Sequence, residues 1–576
     1  MDDSDHLLVA AIDFGTTYSG YAFSTRSDFK KDPLKIHANQ AWNAGGRQLL
    51  SLKTPTVLLL DKDKKFVSFG YEAENQYSDL MMDKEHEDFY YFHRFKMKLF
   101  KNKHLSKTSL IEDITGKSAL AIDVFALSIQ ALKDHLMETL DKRGIKMTVK
   151  DIRWVLTVPA IWTDAAKQFM RKSAEKAGIP GKKLLIALEP EAASIYCQYL
   201  PTEKLNGAGE GFTMAEVGTK YMIIDLGGGT ADITVHEKQK NGKLKELCQA
   251  TGDACGGTSI DSEFFQLMVK IVGAPLMNSL SKIDPSAYLD LFREFETVKR
   301  TINHNKLGKM NFTVPFVAFD TLCKNDFGED FPTTVLSCSL SDKISLRGDK
   351  MRAEVDVLKA LYSKSMIDII SQVTKVIKQC KGVSMLLLVG GFSESEMIQH
   401  AIRKEFPDKR IIIPDDAGLS VLKGAVLFGQ NPDYISSRVM RYTYGLRLKH
   451  SFDHSIHDKS KLKIVNGEER CTDCFCIVKK LNEVTSLGTK VKESIHTIQK
   501  FQERLDLPVF MSNKEDPKYT DELGCNHIGT VKIEIPNPSE EVRHFDVEFH
   551  FGNTEFSVTV TENGTGNTKT ATFDLV

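Results

Sequence analysis

Two short segments of this chain carry the same chemistry. At Leu7–Gly20 (LLVAAIDFGTTYSG) an apolar run ends in an aspartate followed by glycine and threonines, and Tyr221–Thr234 (YMIIDLGGGTADIT) repeats the arrangement. Each reads as a buried strand, a tight Gly/Thr turn and a returning strand. Glycines let backbone N–H groups come close to an anion, threonines add hydroxyl donors, and the aspartates Asp13 and Asp225 can hold a hydrated metal ion. Two such hairpins facing each other would clamp the phosphate tail of a nucleotide between two lobes. Gly15, Thr16, Thr17 and Tyr18 form the first turn; Gly227, Gly228, Gly229 and Thr230 form the second. Three consecutive glycines weaken a strand–turn unless something must approach the backbone closely.

The elements that position these residues follow from the hydrophobic pattern. Residues 1–200 read as an α/β block, with helices predicted from about Asp123 and about Asp164. A polar, Gly-rich loop over 201–219 leads into a second α/β block that runs to residue 435. From 441 to 576 short alternating runs such as VKIEIP, FDVEFHF and FSVTVT predict a β-rich domain. Length alone suggests about four domain-sized units.

Bulk properties exclude several classes. With 76 Lys+Arg against 77 Asp+Glu, global charge gives no reason to expect a nucleic acid or anionic membrane as partner. No stretch approaches the roughly 18–20 apolar residues of a membrane span. The acidic start runs directly into a core strand, unlike a secretory or transit leader. Ten scattered cysteines suit a reducing compartment, so a cytoplasmic or nuclear location is expected. Cys471, Cys474 and Cys476, with Cys525 as a distant fourth, match common zinc spacings poorly, and free thiols are the expectation.

The series DFGTTYSG, TVPAIWTDAAKQ, ALEPEAAS, DLGGGTADIT, TGDACGGTSID, ETVKRTI and LLLVGGFSES, in this order over residues 9 to 430, resembles the 70-kDa heat-shock chaperone family. The segments FKMKLF, EPEAASIYC and IIIPDDAGLSVLKGAVLFG are similar to its divergent heat shock 70-kDa protein 12 branch. The resemblance implies an actin-like (ribonuclease H-like) ATPase fold of two duplicated lobes followed by a sandwich-like β domain. It also implies ATP or ADP with Mg²⁺ at the cleft floor, held through water by Asp13 and Asp225, and protein clients or partners at the C-terminal domain. Glu189 and Asp225 match catalytic carboxylates of the family, Glu189 the one that helps to polarise the attacking water or the metal shell. Gly256, Gly257 and Thr258 match a turn beneath the nucleotide. Glu296, Lys299 and Arg300 match the adenosine-contacting helix, with Gly390 and Gly391 on the other side of the base. On spacing alone, the 296–300 trio reads as a surface salt bridge, and only the match to the family's helix reverses that reading.

Four departures from the family pattern bear on activity. The catalytic lysine falls in HRFKMKLF, where Lys96 is the first choice and Arg94 the rival. Phe392 and Glu394 replace a small hydroxyl and an adenine-stacking arginine, so Phe392 is expected to stack instead. Lys167 stands where the family couples an arginine to the residue matching Pro159, and lysine lacks arginine's forked contacts. NPDYISSRVMRYTYG replaces the acidic-hydrophobic linker, and neither a helical lid nor an acidic tail precedes the last residue given. Two readings therefore stand side by side: a nucleotide-switched, chaperone-type protein with slow hydrolysis, and a nucleotide-dependent adapter without turnover. A small-molecule kinase on the same superfold is a third, disfavoured by the β-rich C-terminal part.

Overall fold

The computed structural model describes residues 6–39, 42, 52–101, 105–209, 214, 216–465, 467–497, 499–535, 537–563 and 568–571. Part of the predicted 201–219 loop, residues 210–213 and 215, lies outside them.

The two hairpins found in the sequence seed two sheets of matching topology. In the first, Leu8–Phe14 pairs antiparallel with Tyr18–Thr25 on one side and parallel with Ile152–Val158 on the other, and Leu184–Leu188 follows in parallel. In the second, Lys220–Leu226 pairs antiparallel with Ala231–Lys238 and parallel with Met385–Val389, and Arg410–Pro414 follows in parallel. Strands buried on both faces read as nearly unbroken apolar runs, which is why LVAAIDF and MLLLV are fully buried.

Between the sheets lie the helices Glu189–Tyr199 and Ser420–Gln430. Val9, Ala11 and Val155 from the first sheet share one core with Ile223, Leu387 and Val389 from the second, through Ala192, Leu422 and Ala425 of these helices. Ser420–Gln430 is buried on all sides, as a helix apolar around its whole circumference must be. The helices cross so closely that a β-carbon on Gly424 would overlap the Ala192 carbonyl. The helix predicted from Asp123 begins two residues earlier, at Ala121, and the one from Asp164 begins there, with the Thr163 side chain accepting the Ala166 N–H.

The C-terminal strands form two antiparallel sheets that close on one core. Leu446, Val509 and Val531 come from one sheet; Val547, Phe549, Val558 and Val560 come from the other. The second lobe's sheet does not stop at the expected boundary of that lobe. Ile435–Val439 adds parallel to Leu244–Asp253, and Val484–Ser486, from within the β-rich region, pairs antiparallel with it. Among the described residues no helix is long and apolar enough to cross a membrane.

Candidate functional site

The two glycine turns meet face to face. A β-carbon on Gly228 would overlap the Thr17 hydroxyl, and one on Gly229 would lie 2.6 Å from Thr16 Oγ1. Only glycine permits that approach. The backbone N–H groups of Thr16, Thr17, Gly228 and Gly229 donate to no described group, so four amide donors stay open between the lobes. The first turn is braced from behind, where the Thr56 hydroxyl donates to the Gly15 carbonyl at 2.8 Å and the Thr56 N–H donates to the Thr17 carbonyl at 2.9 Å. The second is braced by the sequence TGDACGGTSID. The N–H groups of Gly256, Gly257 and Thr258 donate to the carbonyls of Gly229, Gly227 and Gly228 at 3.3, 3.0 and 2.7 Å. The amides of Gly256 and Gly257, expected to lie beneath a nucleotide, thus hold the second glycine turn from behind.

At the strand ends the aspartates are buried and differ sharply in charge environment. Asp13 accepts from Lys53 Nζ at 2.7 Å and from Thr157 Oγ1 at 2.9 Å. Burial pushes its carboxyl up, but Lys53, the nearby Lys96 and Thr157 together hold it below the usual range. Asp225 has no hydrogen-bond or ion-pair partner among the described residues, although it is 4% exposed. Burial, followed by the charges of Glu189, Asp232 and Asp13, drives it well above the ordinary carboxylate range. Gly390, at φ 83°, is pressed against it, since a β-carbon there would overlap Asp225 Oδ1. Asp232 accepts from the Ile161 N–H at 3.0 Å and the Thr230 hydroxyl at 2.7 Å.

Lys96 and Arg94 take different places. Lys96 Nζ donates to Glu189 Oε1 at 2.9 Å and lies 5.1 Å from the centre of the Trp162 ring. Arg94 is turned away to Asp261, which also accepts from Lys299 Nζ at 2.8 Å. Proline after Glu189 predicts an extended residue that ends the strand, but Glu189 is the first residue of its helix, with Leu188 as the extended cap. Pro190 in the first turn has a preset φ and no N–H to leave unpaired. Burial pushes Glu189 up to about 7; Lys96 opposes this, while Asp13 and Asp232 add to it.

Glu296, Lys299 and Arg300 share a face at the end of the helix Pro285–Lys299. Glu296 takes Lys299 at 2.6 Å and Arg300 at 3.0 Å, and the Arg300 guanidinium lies 5.8 Å from the centre of the Tyr18 ring. Gly391 faces open space. Phe392 does not stand ready to stack on a base. It is 9% exposed, belongs to the second lobe's core and packs on Gly257.

Sequence reasoning missed Lys53 and Glu191. Lys53 precedes an ordinary strand (TPTVLLL), and nothing in its neighbours announces a partner 40 positions away. Glu191 reads as a helix-dipole acid, yet it is 2% exposed and takes Arg438 in a forked pair, both bonds 2.7 Å. The Arg438 guanidinium also donates to the Gly552 carbonyl. The first lobe and the C-terminal part are joined by several further bonds. Arg441 donates to the Ala160 carbonyl at 2.7 Å, the Tyr444 hydroxyl to Asp164 at 2.6 Å, and Arg171 to Glu555. The Lys167 ammonium lies 3.4 Å from Asp164 Oδ1.

Comparison with known proteins agrees with this geometry. The profile of the Hsp70 protein family matches residues 81–459. Human heat shock 70 kDa protein 12B is 33% identical over 634 residues, covering 99% of this chain and 91% of the relative. Mouse heat shock 70 kDa protein 12A is 34% identical over 611 residues, 96% of this chain and 90% of the relative. Chaperone protein DnaK of Metamycoplasma hominis is 24% identical over 349 residues, 60% of this chain and 51% of the relative. With a duplicated pair of glycine hairpins facing across a cleft and identity running through nearly the whole chain, the protein belongs to the Hsp70 family, as a nucleotide-binding member of its divergent heat shock 70 kDa protein 12-like branch.

Proposed function

We propose that ATP or ADP with Mg²⁺ binds between the two glycine turns and biases how the C-terminal β sheets meet a protein partner, with slow hydrolysis of ATP. The observation that carries this reading is the apposition of Thr17 and Gly228, with the open N–H groups of both turns between the lobes. Phosphate charge calls for such donors. Asp225 fits a hydrated cation, being a buried carboxyl with no protein partner among the described residues; with Asp13 it would hold Mg²⁺ through water. When bound, that ion would neutralise phosphate charge.

Lys96 is suited to bind the terminal phosphate, and Glu189 to orient a water and take its proton. A base near 7 works well at neutral pH, and phosphoryl transfer is mostly positioning and charge stabilisation. Gly390, Gly391 and Arg300 would flank the base. Coupling to the β sheets is supported by the single helix that begins with Glu189 toward the cleft and carries Glu191 toward Arg438.

One observation favours the adapter reading: Lys53 already neutralises Asp13, which weakens the call for a cation during turnover. Thermal unfolding with and without Mg-nucleotide tests binding, and single-turnover hydrolysis of radiolabelled ATP by wild type and Glu189→Ala separates the two readings. A stabilising shift lost in Asp225→Ala is expected. The absence of any shift at millimolar nucleotide sinks the proposal, and turnover kept in Glu189→Ala removes that residue's role.

A further inference from the structure

The C-terminal region brings together three soft ligands that the sequence keeps apart. His457, Cys471 and Cys474 place their ligand atoms within 4.8 Å of one another. The expectation of free thiols weighed Cys476 and Cys525 as partners; the structure supplies a histidine from a preceding loop instead.

The local backbone is shaped for this. Cys471 and Cys474 lie on the strand Glu468–Lys479, where residues three apart normally point to opposite faces. Here the strand carries one extra residue. Leu448 pairs with Cys474 and His450 with Cys471, so three steps on one strand match two on the other. Asp473 inside the bulge has φ 61°, a left-handed conformation that non-glycine residues seldom adopt. The bulge turns both thiols to the same side. Cys471 is fully buried and Cys474 is 6% exposed, and each thiol donates a long bond to a backbone carbonyl, 3.7 and 3.6 Å.

The His457 loop is tied down over the strand. The Phe452 N–H donates to the Glu469 carbonyl, the Thr472 hydroxyl to the Lys461 carbonyl, and the Asp458 N–H to the Tyr519 hydroxyl.

We infer that His457, Cys471 and Cys474 form a binding site for a thiophilic divalent cation of the Zn²⁺ class, with water in the fourth position. Cys-x₂-Cys plus histidine suits tetrahedral zinc. On binding, the two thiols release their protons to solvent, and two thiolates with one dication leave the buried site neutral. His457 Nδ1 accepts the Asp453 N–H at 2.9 Å. Ligation through either ring nitrogen displaces that bond, because Nδ1 must take the metal or the proton. The site therefore couples metal loading to the 453–458 loop.

The test uses the full chain, reduced, loaded with ZnCl₂ and dialysed. Metal analysis is expected to give one zinc per chain, with occupancy at least tenfold lower in Cys471→Ser and Cys474→Ser, and unchanged in Cys476→Ser. Co²⁺ loading of the wild type is expected to produce a thiolate-to-metal charge-transfer band, a readout that needs no variant to fold. His457→Ala is expected to weaken binding and alter that band. A wild type that holds no metal and shows no such band overturns the inference. So does a Cys471–Cys474 disulfide that forms readily in zinc-treated protein.

Discussion

Lys53 Nζ lies 2.7 Å from Asp13 Oδ2, and Thr157 takes the other oxygen at 2.9 Å, so this carboxylate is fully engaged before any ligand arrives. A side-chain ammonium at that position partly substitutes for a free cation near the phosphates. The expected outcome is a nucleotide-induced thermal shift that partly survives chelation by EDTA. In Lys53→Met the shift should depend on Mg²⁺ entirely. Equal EDTA sensitivity in the two proteins removes this role from Lys53.

The Glu191–Arg438 pair is buried at both ends, the side chains 2% and 10% exposed. Removing one member strands a charge in a dry interior, at a cost of about 3–5 kcal/mol, whereas replacing both with apolar groups costs much less. Arg438→Met should lower the unfolding temperature by several degrees, and Glu191→Leu/Arg438→Met should recover more than half of that loss. A double variant as unstable as the single one speaks against the pair.

Gly424 tests the shared core between the lobes. An added methyl meets the Ala192 backbone, which cannot swing aside as a side chain could. Gly424→Ala is expected to destabilise by about 1–3 kcal/mol, read by denaturant unfolding. A neutral result implies that the two helices stand farther apart.

His236 supplies a pH dependence. Burial is the main cause that holds it down at about 4, and its Nδ1 meets the Ser194 hydroxyl at 3.0 Å. An unfolded histidine titrates near 6.5. Between those values the unfolded chain takes up a proton that the folded one refuses. Stability is therefore intact above about 6.5 and declines as pH falls toward 4, by about 2 kcal/mol at pH 5. Wild type should lose more stability than His236→Asn between pH 7 and 5; matching losses contradict the assignment.

The paired glycine turns were legible in the sequence because their pattern is local: acid, glycine and threonine follow one another behind an apolar strand. Lys96 and Arg94, rivals in one motif, part company in the fold, Lys96 to Glu189 and Arg94 to Asp261. What stayed hidden depends on distant pairing. Lys53, Glu191 and His457 look like ordinary surface residues until the chain brings their partners to them. Phe392 misled because an aromatic at a glycine-rich turn resembles a base-stacking group, whereas the lobe's core absorbs it. Glu189 was expected to be extended, but proline just after it served to start a helix.

Val484–Ser486 closes the edge of the same hydrogen-bonded slab that bears Asp225. A tilt of that slab therefore moves the far end of the chain as a lever moves its load, without slack from a loose tether. Small rearrangements at the phosphate turns would be magnified with distance from the pivot. The divergent linker sequence is itself part of that slab, as the strand Ile435–Val439, so the joint between lobe and C-terminal strands is a hydrogen-bonded one.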